Sequence, residues 1–176
     1  DSIESITRQI ANGEADLIAG SGSDMFLKPR EDGVDMLKVL KESGYTFVTK
    51  CEDINAQSGK VVCADDRMGA GATEETLDFL ARLTRESIAK LSGLGDKGFF
   101  LMVEGPKIDY AGHSECLPAS VIELLGFDMA VAEALRFADS NGETLVVVTA
   151  DHDTGGLVLL DGSLSDNRVM GIYTTN

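Results

Sequence analysis

The sequence contains five residues whose side chains are common metal ligands and which lie in two short stretches. They are Glu104, Asp109, His113, Asp151 and His152. The chain has only two histidines, and each stretch contains one of them. Carboxylate and imidazole groups together are typical ligands of zinc, whereas carboxylates alone suit magnesium. These residue types indicate a site for divalent cations.

The spacing within each stretch favours a shared ion. Asp109 and His113 are four residues apart, so on a helical turn they lie on the same face and can bind one ion. Asp151 and His152 are adjacent, and on a loop their side chains can converge on a second ion. Glu104 lies near enough in the chain to serve the ion of Asp109 or a neighbouring one.

A purely structural role for these residues is the alternative interpretation. A histidine is often a hydrogen-bonded surface residue, and an aspartate after a strand often caps a helix. We favour metal binding because both stretches follow apolar runs and together contain every histidine of the chain. Asp153 is interpreted as a supporting or structural residue beside the ligands.

Two apolar runs must position these stretches. Residues 99–103 precede Glu104, and residues 145–149 precede Asp151; both have the length and the β-branched or aromatic content of buried strands. A long helix is predicted between them, over residues 118–139. We therefore predict an α/β fold with a mainly parallel sheet flanked by helices, in which the two runs are central, buried, parallel strands. Functional residues of such sheets collect at the carboxyl ends of the strands.

Periodicity and turn residues predict further elements on both sides of this region. Helices are expected at residues 2–12, 32–43 and 73–92, and strands at residues 15–20, 45–49, 60–64 and 157–160, with an irregular tail after them. The turn at residues 20–23 is rich in glycine and serine, but the G-x-G-x-x-G phosphate-binding pattern fails at Met25. We interpret this segment as a tight turn after a strand.

Composition limits the classes of function. The chain has 176 residues, 43% of them hydrophobic, which suits one α/β domain over residues 1–176. Its net charge of −15 excludes a nucleic-acid partner, because a phosphate backbone requires a basic surface. No apolar run approaches the roughly 20 residues that span a bilayer, so no membrane span is predicted.

The chain begins at Asp1 without a methionine, and its first residues have the pattern of a helix start. We therefore expect it to be a piece of a longer protein whose targeting signals are not included. Three cysteines exclude a full disulfide framework, although Cys51 and Cys63 could still pair with each other.

Three blocks of sequence resemble the alkaline phosphatases in order and spacing. The blocks are residues 100–105 (FLMVEG), 108–113 (IDYAGH) and 148–156 (VTADHDTGG). The helix around residues 127–131 and the segment at 15–20 are also similar, so the resemblance covers most of the chain. Two departures are mild: Asp153 stands where the commoner member has Glu, and Tyr110 where Trp is frequent.

The resemblance implies a phosphate monoester hydrolase with two zinc ions and one magnesium ion. By position, Asp109 and His113 would bind one zinc, Asp151 and His152 the other, and Glu104 the magnesium. The family reacts through a phosphoserine or phosphothreonine, with one zinc activating the nucleophile and the other stabilising the leaving oxygen. The resemblance also implies a homodimer and export to the periplasm or the outside of the cell.

The same resemblance implies an incomplete site. The family nucleophile lies upstream of the region matching Asp1, and a further zinc histidine would follow Asn176. We therefore assign no catalytic nucleophile to this chain and expect the fragment to be inactive alone. The alternatives are another member of the superfamily, such as a phosphodiesterase, sulfatase or phosphoglycerate mutase, or a non-catalytic metal-binding module.

Overall fold

We describe a computed structural model that covers residues 2–71, 73, 76–163, 165–166 and 168–174. The chain divides into two compact units. The first, here called the sheet unit, comprises Asp1–Ala70 and Arg82–Met102. The second, here called the site unit, comprises Gly71–Ala81 and Val103–Asn176. The expectation that all 176 residues form one domain of a longer chain stays a prediction.

The described residues form helices, strands and two short 3₁₀ segments. The helices are α1 (Ile3–Ala11), α2 (Asp24–Leu27), α3 (Met36–Glu42), α4 (Phe79–Ser92), α5 (Lys107–His113) and α6 (Leu117–Asn141). The strands are β1 (Leu17–Gly20), β2 (Tyr45–Val48), β3 (Lys60–Ala64), β4 (Leu157–Ser163) and β5 (Arg168–Tyr173). The 3₁₀ segments are Cys51–Ala56 and Asp66–Gly69.

The sheet unit contains a three-stranded parallel sheet in the order β1-β3-β2. Its central strand β3 is apolar from Val61 to Ala64, and Val61, Val62 and Cys63 are at most 2% exposed. Such runs are typical of parallel strands that are covered on both faces. The predicted α/β class with a parallel sheet and flanking helices is thereby confirmed, as are the strands predicted near residues 15–20, 45–49 and 60–64.

The core of the sheet unit lies between this sheet and the first three helices. Met36 and Leu40 of α3 are 1% exposed, and the rings of Phe26 and Phe47 pack with centroids 5.2 Å apart. The helix predicted over residues 32–43 begins only at Met36, because the Asp35 carboxylate caps it by accepting a hydrogen bond from the Lys38 N–H.

The helix predicted over residues 73–92 also begins later than expected, at Phe79. Thr76 accepts a hydrogen bond from the Thr73 N–H and donates one to the Gly71 carbonyl. Such local side-chain bonds compete with helical pairing, so the chain forms a turn before α4. Glu74 and Glu75, which the prediction included, lie outside the described residues.

The site unit is built on α6, whose 25 residues agree with the long helix predicted over 118–139. Gly142 ends it with φ of 70°, the left-handed conformation that favours glycine. Strands β4 and β5 form an antiparallel hairpin, and the Tyr173 hydroxyl lies 2.9 Å from the Ser120 hydroxyl of α6. The prediction of an irregular tail is therefore wrong, since β4 takes its partner from the tail itself.

The prediction of two central strands is also wrong. Residues 99–103 and 145–149 belong to neither sheet in the described part of the chain. Phe100 is 90% exposed and Leu145 is 85% exposed. An apolar run indicates that a segment can be buried in a sheet, but a strand forms only where a second backbone pairs with its N–H and C=O groups. Among the described helices, none is long and apolar enough to cross a membrane.

Candidate metal centre

Helix α5 places Asp109 and His113 on one face, as their spacing predicts. The Asp109 Oδ2 atom lies 3.5 Å from the His113 Nε2 atom, and the two side chains are 36% and 69% exposed. Close packing fixes the start of α5: a Cβ atom on Gly105 would lie 2.9 Å from the Phe127 ring of α6. The pair is thus held on a helix that is itself packed against α6.

Asp151 and His152 form a second pair in the loop that leads to β4. The Asp151 Oδ2 atom lies 3.3 Å from the His152 Nε2 atom. Their side chains are 87% and 60% exposed, so both are open to solvent and to ions. The chain bends at Asp151, and the two adjacent side chains converge there.

The Thr154 hydroxyl connects the two pairs. It donates a hydrogen bond of 2.6 Å to Asp109 Oδ1 and lies 3.2 Å from His152 Nδ1. The hydroxyl has one proton, and the ionised Asp109 carboxylate can only accept. Thr154 therefore accepts from His152, whose Nδ1 carries the proton. We call Asp109, His113, Asp151, His152 and Thr154 the Thr154 cluster.

A backbone carbonyl also indicates that the proton of the His152 ring is on Nδ1. The Asp153 carbonyl oxygen lies 3.1 Å from His152 Nδ1 and can only accept a hydrogen bond. With Nδ1 protonated, Nε2 is free to bind a proton or a metal. The hydrogen bond to the Asp153 carbonyl, followed by the negative charge of Asp151, raises the pKa of His152.

Each pair fits one zinc ion. Two ligands at about 2.0–2.1 Å from a tetrahedral zinc lie about 3.3–3.4 Å apart. The measured separations, 3.5 Å for the Asp109 pair and 3.3 Å for the Asp151 pair, are close to this value. One carboxylate and one imidazole in each pair also match the mixture of ligands that zinc accepts.

Glu104 does not join the two pairs. Its side chain is exposed, and within the described residues the structure shows no hydrogen bond or ion pair from it to the other four predicted ligands. A pocket of about 220 Å³ contains both histidines but not Glu104. Its lining consists of Gly112, His113, Glu115, His152, Asp153, Thr154 and Gly155. The structure thus groups four of the five predicted residues.

A second group of potential ligands lies in the sheet unit and was missed from the sequence. Ligand atoms of Cys51, Glu52 and Asp65 all lie within 4.8 Å of one another. Arg67 fills this group: its guanidinium is 2.6 Å from the Asp65 carboxylate and 2.6 Å from that of Glu52. We call these four residues the Arg67 cluster. The available signal was the Asp-Asp-Arg triplet directly after β3.

The position of Arg67 argues against a metal in the Arg67 cluster, because its guanidinium already neutralises the carboxylates of Asp65 and Glu52. Burial, followed by the charges of Glu52 and Asp65, raises the pKa of the Cys51 thiol to about 11. The Cys51 thiol is therefore protonated at neutral pH in this structure. Cys51 and Cys63 are both buried free thiols, so the pairing left open by the sequence is not formed in this structure.

The glycine-rich turn after β1 is occupied by the chain's own carboxylate. Asp66 accepts hydrogen bonds from the Gly22 N–H at 2.8 Å, the Ser23 N–H at 3.0 Å and the Ser23 hydroxyl at 2.5 Å. These bonds, that of the Ser23 hydroxyl first, lower the pKa of Asp66. The donors that could bind a phosphate are therefore already used, which agrees with a tight turn.

A parallel sheet with flanking helices places the chain in the α/β class. The family model described as alkaline phosphatase matches residues 1–168. The chain therefore belongs to the alkaline phosphatase family, as the three sequence blocks predict.

Curated relatives agree with this assignment. The chain is 36% identical to alkaline phosphatase 3 of Bacillus subtilis (strain 168), over 84% of the chain and 32% of the relative. It is 43% identical to the streptomycin-6-phosphate phosphatase of Streptomyces griseus, over 84% of the chain and 41% of the relative. The chain thus spans less than half the length of these relatives.

Solved structures show the same fold. The alkaline phosphatase of the Antarctic bacterium TAB5 matches with a TM-score of 0.85 and 30% identity, over 98% of this chain and 53% of that chain. A variant of the TAB5 enzyme with magnesium bound in its M3 site matches with a TM-score of 0.84 and 30% identity, over the same shares of the two chains.

Proposed function

We propose that this chain is part of an alkaline phosphatase that hydrolyses phosphate monoesters with zinc and magnesium. The observation that carries the proposal is the Thr154 cluster, in which two carboxylate–imidazole pairs with zinc-like spacing share one hydroxyl. Membership of the alkaline phosphatase family supports the reaction class.

The five predicted ligands divide between three ions in this proposal. Asp109 and His113 hold one zinc, Asp151 and His152 hold the other, and Glu104 holds magnesium. When bound, such ions act as Lewis acids that neutralise negative charge on the phosphoryl group and on the leaving oxygen. The magnesium in the TAB5 variant supports a third ion, and the exposed Glu104 carboxylate has suitable chemistry for it.

The negative charge around the pocket indicates that metal ions are needed for an anionic substrate to bind. Glu115 and Asp153 line it beside the two histidines, and Asp109 and Asp151 lie next to those histidines. A phosphate ester is itself an anion, so these carboxylates would repel it unless metal ions first reversed the local charge. An acidic pocket for an anionic substrate is therefore consistent with a metal-dependent enzyme.

The chain alone is proposed to be inactive. Each pair provides two protein ligands, whereas catalytic zinc sites usually have three. No catalytic nucleophile is assigned within the chain, and the Thr154 hydroxyl is already engaged by Asp109. The other ligands and the nucleophile are thus proposed to come from the rest of a longer protein. A homodimer and export to the periplasm or the outside of the cell also stay predictions.

The experiment compares the full-length protein with the 176-residue chain. Zinc binding is measured by chelator competition, and turnover is measured with p-nitrophenyl phosphate, bis-p-nitrophenyl phosphate and p-nitrophenyl sulfate. We expect the full-length protein to prefer the monoester and to lose activity with EDTA, and the fragment to show no turnover. Preference for the diester or the sulfate would favour another superfamily member. Zinc binding without any hydrolysis would indicate a non-catalytic module.

A further inference from the structure

Thr154 is a residue for which the sequence suggests no chemistry. Within the described residues, it is the side chain whose hydroxyl contacts both carboxylate–imidazole pairs, at Asp109 Oδ1 and His152 Nδ1. The first contact joins residues that are 45 positions apart in the chain. It therefore fixes the loop after Asp151 to helix α5 through a predicted ligand.

The backbone around Thr154 is shaped for this contact. A Cβ atom on Gly112 would lie 2.9 Å from the Thr154 carbonyl oxygen and 3.1 Å from its Cβ and Cγ2 atoms. Gly155 has φ of 76°, and a Cβ atom there would lie 2.8 Å from the Gly112 carbonyl oxygen. Two glycines thus let the loop approach α5 closely enough for the hydroxyl to reach Asp109.

The direction of each hydrogen bond orients a metal-binding atom. By donating to Oδ1 of Asp109, Thr154 leaves Oδ2 facing His113. By accepting from Nδ1 of His152, it leaves Nε2 facing Asp151. Hydrogen bonds of this kind set the orientation and the protonated nitrogen of metal-binding side chains.

We propose that Thr154 is a positioning residue that couples the two zinc sites by orienting Asp109 and His152 with one hydroxyl. The inference rests on the proposed function, because it assigns a role toward the same two ions. Thr154 acts through the ligands and does not itself touch the metal or the substrate.

The test uses three variants of the full-length protein. Thr154→Val keeps the branched shape that packs against Gly112 but removes the hydroxyl, and Thr154→Ser keeps the hydroxyl but removes the methyl group. Thr174→Val is the matched control, because the Thr174 hydroxyl donates to the Gly156 carbonyl at 2.8 Å and contacts no predicted ligand. Zinc affinity is measured by chelator competition, and ligand geometry by the visible absorption of the cobalt-substituted protein.

We expect Thr154→Val to weaken zinc binding by about 10–100-fold and to change the cobalt spectrum. Thr154→Ser should stay within about threefold of the wild type, and Thr174→Val should match it. A purely packing role predicts the reverse order for the two Thr154 variants. Wild-type zinc affinity and an unchanged cobalt spectrum in Thr154→Val would overturn the inference.

Gly112→Ala provides a second route if Thr154→Val does not fold. The added methyl group would lie 2.9 Å from the Thr154 carbonyl oxygen, so the loop must shift relative to α5. We expect this shift to weaken the hydrogen bond between Thr154 and Asp109 and to lower zinc affinity, as in Thr154→Val. Failure of the proposed function has a different signature: the wild-type protein itself would bind no zinc or hydrolyse no phosphate monoester. Unchanged zinc affinity in Gly112→Ala, in an active wild-type background, would overturn only the inference about Thr154.

Discussion

The Arg67 cluster and the Thr154 cluster both contain carboxylates beside other side chains that can bind metals, but they differ in how their charge is balanced. In the Arg67 cluster, one guanidinium pairs with the carboxylates of Asp65 and Glu52. In the Thr154 cluster, the carboxylates of Asp109 and Asp151 face histidines, and no Lys or Arg pairs with them among the ion pairs of the described residues. We interpret the Arg67 cluster as structural because the chain itself neutralises its carboxylates, and we propose the Thr154 cluster as the cation site because no Lys or Arg of the described residues does so there.

Burial explains why the two clusters differ. Asp65 is 2% exposed, and a buried carboxylate is stable only if the fold provides a partner. Asp151, with its side chain 87% exposed, is hydrated and needs no internal partner. If only the distances between potential ligand atoms are considered, the Arg67 cluster is the better candidate for a metal site. When the charge of Arg67 is also considered, the Thr154 cluster is the better candidate.

The largest expected effect is the loss of phosphatase activity when a proposed zinc ligand in the Thr154 cluster is substituted. Asp109→Ala or His152→Ala in the full-length protein removes a ligand, so zinc content should fall, and phosphatase activity should fall with it by at least about 100-fold. Glu52→Gln, the matched change in the Arg67 cluster, should leave both unchanged. Metal analysis and p-nitrophenyl phosphate turnover check this. Loss of zinc in Glu52→Gln would show that the Arg67 cluster, which we interpret as structural, takes part in zinc binding.

The next effect concerns stability. Arg67→Met should lower the free energy of unfolding by about 1–3 kcal/mol, because Asp65 then stays buried without its charged partner. The loss stays below that of a fully buried pair since Arg67 is itself 43% exposed. Denaturant titration of the full-length protein measures it. Lys28→Met, which removes the exposed ion pair with Asp24, is the control and should have no measurable effect.

Low pH should destabilise the fold by protonating the carboxylates of the Arg67 cluster. The hydrogen bond from Arg67 lowers the pKa of Glu52 to about 2, and although burial alone would raise the pKa of Asp65, hydrogen bonds from Arg67 and the Cys51 N–H keep it below its ordinary value. Both groups therefore stabilise the fold above their unfolded pKa values of about 4, and this stabilisation is lost as the pH falls through their lowered pKa values in the folded state.

Melting temperature measured against pH tests this linkage. The difference in Tm between the wild type and Arg67→Met should be constant above about pH 5 and should shrink steadily below pH 4. A difference that does not change with pH would mean that neither carboxylate depends on Arg67 for its charge.

The smallest expected effect is a difference in reactivity between the buried thiols of Cys51 and Cys63 and the exposed thiol of Cys116. Burial raises the pKa of Cys51 to about 11 and that of Cys63 to about 12, whereas Cys116 is exposed. Iodoacetamide at pH 8 should therefore modify Cys116 and spare the other two until the protein is unfolded. Mass spectrometry of the digested protein locates the label. Rapid labelling of Cys51 would contradict the closed, structural character of the Arg67 cluster.

Local patterns in the sequence determined much of the fold and part of the site. The four-residue spacing of Asp109 and His113 predicted one helical face, the segment at residues 60–64 predicted a short strand, and the long apolar stretch predicted α6. These features follow from the periodicity of a single segment, so they can be derived without knowing what packs against it.

Contacts between distant segments were decided only by the tertiary structure. Whether residues 99–103 and 145–149 join a sheet depends on the backbones available to pair with them, and their apolar composition does not encode this. Thr154 and Arg67 are ordinary polar residues in the sequence. Thr154 bonds to Asp109, 45 positions away, and Arg67 bonds both to Asp65 and to Glu52, which is 15 positions away, because folding brings their hydrogen-bonding groups together.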